Sequence, residues 1–135
     1  MLLNCDLGES YGYWQIAADP LVMPYIDMAN IACGYHAGDP QVMQKTVALA
    51  KQYQVKIGAH PSYPDRQGFG RRSMQLSHDE IENLILYQLG ALSGICRSQG
   101  CQISYLKPHG ALYNDMMKND EVLFAIFSAI LLFTL

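Results

Sequence analysis

The chain has 135 residues, half of them hydrophobic and only 16% charged, a composition that fits one globular domain and excludes disordered or fibrous classes. Its formal net charge is -3, and no run of Lys or Arg exceeds the pair Arg71-Arg72, so it lacks the electrostatic footprint of a nucleic-acid binder. The opening Met1-Leu2-Leu3-Asn4-Cys5-Asp6 has neither the basic n-region nor the long apolar h-region of a secretory signal, which predicts a cytoplasmic protein with its four cysteines reduced.

Short apolar runs alternate with longer helical patterns, the mark of βα units on a parallel sheet. The first strand is expected at residues 2–5, a second at about 26–33, a third at about 55–59 and a fourth at about 103–107. Asp39-Pro40 offers an N-cap with proline at the first helical position, and Val42, Met43, Val47 and Ala50 follow at helical spacing to near Tyr53. From Pro61 to Leu76 runs the one long loop, stiffened by Pro61, Pro64, Gly68 and Gly70; loops of this length are usually functional, and it is expected to wall the site. Ser77-His78-Asp79-Glu80 then forms a capping box. The helix behind it carries Ile81, Leu84, Ile85, Leu89, Leu92, Ile95 and Cys96 on one face and stops at Gly100. The final run, Val122 to Leu135, is apolar nearly all round and shorter than the about 20 residues that span a bilayer. It reads as a buried helix cut off early, and no membrane partner is expected.

After each strand the sequence turns at once to a compact polar motif: Asn4-Cys5-Asp6-Leu7-Gly8-Glu9, Gly34-Tyr35-His36-Ala37-Gly38-Asp39, Ala59-His60-Pro61-Ser62-Tyr63-Pro64-Asp65-Arg66 and Lys107-Pro108-His109-Gly110. In a parallel sheet everything that follows a strand lands on one rim, where barrel enzymes keep their active sites. Any one of these histidines could be satisfied by backbone carbonyls; several imidazoles, a lysine and a carboxylate converging call for partners or a ligand. Asp6, His36, His60, Lys107 and His109 are therefore the candidate catalytic groups. Imidazoles beside carboxylates move protons to and from a reacting amide, and lysine steadies an oxyanion or phosphate. Asp6, His60 and His109 equally offer ligands to a divalent metal, and spacing alone leaves the two chemistries open. Asn4, Glu9, Asp39, Arg66 and Asn114 are the candidate substrate-binding groups, although Asp39 most simply caps its helix. His78, on a solvated helix end, is read as structural. Neither a P-loop nor a dinucleotide fingerprint is present.

These four blocks, extended through Ala29-Asn30-Ile31-Ala32-Cys33 and Ala111-Leu112-Tyr113-Asn114, resemble the signature blocks of the LamB/YcsF family from about Leu3 to Asn114. The resemblance implies an α/β fold, a partial (βα) barrel of the glycoside hydrolase/deacetylase type, here a single domain over 1–135 truncated after about four βα units. It implies a 5-oxoprolinase activity, the ATP-dependent opening of 5-oxoproline to L-glutamate, carried out with the 5-oxoprolinase subunits B and C. ATP would be bound without a P-loop. Two other readings stay open: a metal-dependent amide or carbohydrate deacetylase, and a non-catalytic fragment that binds other subunits.

Overall fold

Four short strands pair in parallel and in chain order: β1 (Asn4–Leu7), β2 (Met28–Ala32), β3 (Lys56–His60) and β4 (Ile103–Leu106). This is a computed structural model, and it describes residues 1–16 and 18–134. Helices α1 (Asp19–Val22), α2 (Pro40–Gln52), α3 (His78–Ser98), α4 (Gly110–Met116) and α5 (Asp120–Thr134) occupy the connections and the end. The fold is α/β with a parallel four-stranded sheet, as the alternating pattern predicts.

The local signals place the long helices closely. Asp39 caps α2 by accepting from Val42 N, with Pro40 at its first position. Ser77 and Glu80 complete the capping box of α3, each satisfying the other's backbone amide. Gly100 follows α3 with φ +72°, the left-handed conformation glycine tolerates best. His78 stands 3.7 Å from Glu82, one turn along the solvated surface.

Period-two alternation gives the sheet two unlike faces. Cys5, Leu7, Ala29, Ile31, Ile57, Ala59 and Leu106 occupy one set of positions, and Leu7, Ala29, Ile31, Ile57 and Ala59 are buried in a core with Val47 of α2 and Ile85, Leu89 and Leu92 of α3. The opposite set carries the polar groups Asn4, Asp6, Asn30, His60 and Tyr105, together with Met28, Ala32, Lys56 and Gly58. A register shift between Ile57 and Gly58 lets Ile103 pair with Ile57 while Tyr105 pairs with Gly58, so β4 keeps its isoleucine level with the core and its tyrosine on the polar side.

Two expectations are revised. The first strand lies at Asn4–Leu7 rather than 2–5, because pairing with β2 fixes the ladder while Leu2 and Leu3 stay exposed. Asp6 thus lies inside the strand instead of after it. The apolar tail does form a helix, but it packs against α3 and α4 by one stripe only, Val122, Ala125, Ile126 and Ala129. Phe124, Phe127, Leu131 and Leu132 are exposed. Leu135 lies outside the described residues.

Candidate active site

The polar face ends in a tight histidine cluster. β3 delivers His60 as its last residue, and the loops after β2 and β4 deliver His36 and His109. All three are buried, His36 and His60 at 1% exposure and His109 at 5%. The rings of His36 and His109 stack with centroids 3.6 Å apart and planes 7° from parallel. His60 meets His109 edge-on, with the planes at 84°.

Each ring is held by a fixed partner. His60 Nδ1 lies 2.6 Å from the Lys107 carbonyl and His109 Nε2 lies 2.7 Å from the Phe69 carbonyl. A carbonyl only accepts, so these two nitrogens carry protons and donate them. His36 Nδ1 contacts Ser62 Oγ at 3.0 Å and its Nε2 contacts Glu9 Oε1 at 2.9 Å. Burial pushes His36 below the ordinary imidazole range, against the opposing pull of Glu9. Burial, reinforced by His36, brings His109 down to about 4. Both rings favour the neutral form at neutral pH.

Beside the cluster lies a second network, centred on Asn30, which is fully buried on β2. Asn30 Nδ2 donates to Asn4 Oδ1 and to Asp6 Oδ1, each at 2.8 Å, while its Oδ1 accepts from the Tyr105 hydroxyl at 2.6 Å. Lys107 Nζ donates to Asp6 Oδ1 at 3.0 Å, and His60 Nε2 is 3.5 Å from the same oxygen. The His60 imidazole, then the Asn30 amide and the Lys107 ammonium, hold the Asp6 carboxyl well below the usual carboxylate range. Asp6 and Lys107 remain accessible, at 38% and 40% side-chain exposure, unlike the buried rings. A solute reaching this rim meets that pair first.

The long loop covers the cluster. Phe69 sets its ring edge-on to His36 and His109, with centroids at 5.1 and 5.0 Å. Its φ of +55° is unusual for a residue with a side chain. At Gly70 a Cβ would lie 2.9 Å from both His36 and His109, so only glycine lets the loop approach so closely. Behind the loop, Gln88 of α3 is fully buried and grips Ser62 at both backbone groups. Its Oε1 accepts from Ser62 N and its Nε2 donates to Ser62 O, each at 2.9 Å.

Of the ten candidate residues, Asp6, His36, His60, Lys107, His109, Glu9 and Asn4 fall in these two connected networks. Three do not. Asp39 is engaged at the start of α2 and accepts from Gly12 N at 2.8 Å. Arg66 donates to the carbonyls of Gly38 and Gly34 and lies 3.8 Å over the Tyr11 ring. Asn114 is on the exposed side of α4. Asn30, Tyr105, Ser62, Phe69 and Gln88 join the site although none was among the candidate residues; Ser62 and Asn30 lie within the quoted blocks. Asn30 was legible by alternation along β2, whereas Tyr105 reaches the polar face only through the register shift of β4.

Glu9 Oε1 and one nitrogen each of His36, His60 and His109 all lie within 4.8 Å of one another, a buried cluster that could hold a metal ion. All four cysteines are free, with burial raising the Cys33 thiol to about 12. Among the described residues no helix is long and apolar enough to cross a membrane.

Residues 1–134 match the LamB/YcsF family profile. The chain is 59% identical over 133 residues to the 5-oxoprolinase A subunit of Vibrio campbellii, covering 98% of this chain and 53% of that protein. It is 60% identical over 133 residues to the protein of the same name from Vibrio parahaemolyticus, with the same coverage. Among solved structures it resembles the "Lactam Utilization Protein" of Thermus thermophilus, with a TM-score of 0.94 and 44% identity over 96% of this chain and 52% of that one. The chain thus spans about half the length of the curated relatives it matches.

Proposed function

The chain belongs to the LamB/YcsF family, and from that premise we propose that it carries the reaction rim of a 5-oxoprolinase A subunit, which hydrolyses 5-oxo-L-proline to L-glutamate with consumption of ATP. The observation that carries this reading is the meeting of Asp6, Lys107 and three buried histidines at one end of a parallel sheet. The relatives' names supply the substrate class. Residues 1–135 are taken as one domain whose sheet is an arc of an incomplete βα barrel of the glycoside hydrolase/deacetylase type. Sequential parallel strands with an apolar and a polar face suit such an arc. Neither a deacetylase nor a non-catalytic binding fragment gains better support.

The lactam of 5-oxoproline is an unstrained, resonance-stabilised amide. Phosphorylation of its carbonyl oxygen by ATP, with release of ADP, removes that resonance. Water then adds to the activated carbon, the ring C–N bond breaks as the freed nitrogen takes a proton, and a second water displaces phosphate from the resulting acyl phosphate to leave the new carboxylate of glutamate. Lys107, held by Asp6, is assigned to steady negative charge developing on oxygen. His36, His60 and His109 handle the protons of water and leaving nitrogen. Asn4 and Glu9 border this space and are assigned to substrate, as are Asp39, Arg66 and Asn114, which lie outside the two networks. ATP, partner subunits B and C and a cytoplasmic setting complete the reading.

The test replaces the residue equivalent to His60 or to Lys107 with alanine in a full-length relative, assembled with its partner subunits. Glutamate formation from 5-oxoproline and ATP should vanish while circular dichroism stays native. Turnover at the unmodified rate would refute the assignment.

A further inference from the structure

We propose that the chain binds one zinc-like divalent cation between His60 Nε2 and His109 Nδ1, with carboxylate oxygens of Glu9 and Asp6 completing the coordination and His36 remaining outside it. This deepens the hydrolase reading and rests on it for catalytic meaning, since with a cation bound His60 and His109 would serve as its ligands and proton handling would fall to His36; the binding itself is measured without turnover.

Two backbone carbonyls set the tautomers of the rings. Lys107 O and Phe69 O hold the protons on His60 Nδ1 and His109 Nε2, so the nitrogens left for another partner are His60 Nε2 and His109 Nδ1. They face each other at 3.0 Å in a buried site. Two ring nitrogens so close in a buried site need a positive centre between them, either one proton or a cation. One proton would satisfy the nitrogens alone. It would leave Asp6 Oδ1, already bonded to Asn30 and Lys107, at 3.5 Å from His60 Nε2, and Glu9 Oε1, already held by His36, at 3.9 Å from His109 Nδ1. A cation that takes several ligands draws all four atoms to one centre.

Ring orientation then decides the ligand set. The planes of His60 and His109 are nearly perpendicular, so one ion can lie in both planes, where the lone pairs point. His36 is stacked parallel on His109, so an ion in the plane of His109 lies well out of the plane of His36. His36 instead holds Glu9 at 2.9 Å and orients it. Zinc lies about 2.1 Å from imidazole nitrogen, so at the present spacing it would subtend an angle near 90°, and the tetrahedral angle needs the nitrogens to part by only about 0.4 Å. Backbone carbonyls on the far nitrogens are the usual outer support of metal-bound histidine. Two imidazoles with two carboxylates suit zinc, cobalt, iron or manganese in their divalent states.

The full 135-residue chain, stripped with a chelator and dialysed, is titrated calorimetrically with Zn2+. One equivalent is expected to bind. His60→Asn and His109→Gln should each weaken binding by more than the about 10–100-fold that loss of an outer partner brings, while His36→Gln should stay within that range. Glu9→Gln and Asp6→Asn, which keep shape and remove charge, should each weaken it at least about 10-fold and carry the test if an imidazole variant fails to fold. The proposal is overturned if no saturable binding occurs, if the His60 and His109 variants bind as the wild type does, or if His36→Gln loses as much as they do. A full-length relative that hydrolyses 5-oxoproline and binds no zinc sinks this inference and spares the hydrolase reading. A zinc-binding relative whose complete assembly shows no turnover does the reverse.

Discussion

Gln88 offers the sharpest test of how the site is held, because its main polar work is done on another residue's backbone. It lies on α3, fully buried, and binds both the N–H and the C=O of Ser62 at 2.9 Å. Gln88→Leu keeps most of the volume and strands both groups. A buried polar group left without a partner costs about 1–3 kcal/mol, so two of them set a loss of about 2–5 kcal/mol after some relaxation. For a domain of this size each kcal/mol lowers the melting temperature by roughly 3–4 °C, giving a drop of roughly 6–20 °C. Urea unfolding followed by circular dichroism reads the loss as a lower midpoint at unchanged slope. Ser62 Oγ supports His36 Nδ1, so the equivalent change in a full-length relative should also lower kcat with little effect on KM. A variant within about 0.5 kcal/mol of the wild type, the usual range of a surface substitution, would refute the reasoning, since water would then be replacing the amide inside the loop.

Gly58→Ala places a Cβ 2.1 Å from two ring carbons of Tyr105, so the ring must swing away and release Asn30; we expect a loss of about 2–4 kcal/mol, measured by thermal unfolding. Ser77→Ala removes one half of the capping box at the start of α3 and should cost about 1 kcal/mol, read from the same unfolding curves. Acid should destabilise the metal-free chain in a defined window. Burial lowers the folded pKa of His109 to about 4 from an ordinary 6.5, so its charged form is disfavoured in the fold. The fold therefore carries no proton-linked penalty from this ring above about 6.5, and stability is lost as the pH falls from there towards 4, where the unfolded chain takes up the proton first. His36 is shifted the same way. Unfolding midpoints should therefore fall between about pH 6.5 and 4, and His109→Gln should flatten that slope.

How much of this was legible in the sequence depends on the range of the interaction. Helix boundaries were, because Asp39, Ser77, Glu80 and Gly100 act within a few residues of themselves. The convergence of His36, His60 and His109 was, because parallel strands enforce it. The first strand was displaced because Leu2 and Leu3 carry the strongest apolar signal, whereas the ladder is decided by the partner strand at Met28–Ile31. The polar face was only half visible. Alternation places Asn30 beside Asp6, but nothing local says that Tyr105, 75 residues away, closes the same network. The carbonyl of Phe69 is invisible in principle, since any residue has one; only the loop's path puts it 2.7 Å from His109.

The two networks differ in exposure, and that difference assigns them different work. Buried imidazoles fixed by carbonyls, a hydroxyl and Glu9 cannot rotate to follow a substrate; they are a rigid frame whose free atoms point at one small space. Asp6 and Lys107 are accessible, and an ion pair so exposed contributes at most about 1 kcal/mol to stability. The fold therefore gains little by keeping the pair. Its other partners hold it strictly in place nonetheless: Asn30 fixes the carboxylate, and Asn30 is itself fixed by Tyr105 and Asn4. Committing these three side chains to aiming one accessible carboxylate makes sense if a ligand is to displace water there and take up the ammonium. Asp6 touches both networks, at 3.0 Å from Lys107 Nζ and 3.5 Å from His60 Nε2. It is the residue through which charge arriving at the accessible edge is felt by the buried histidines.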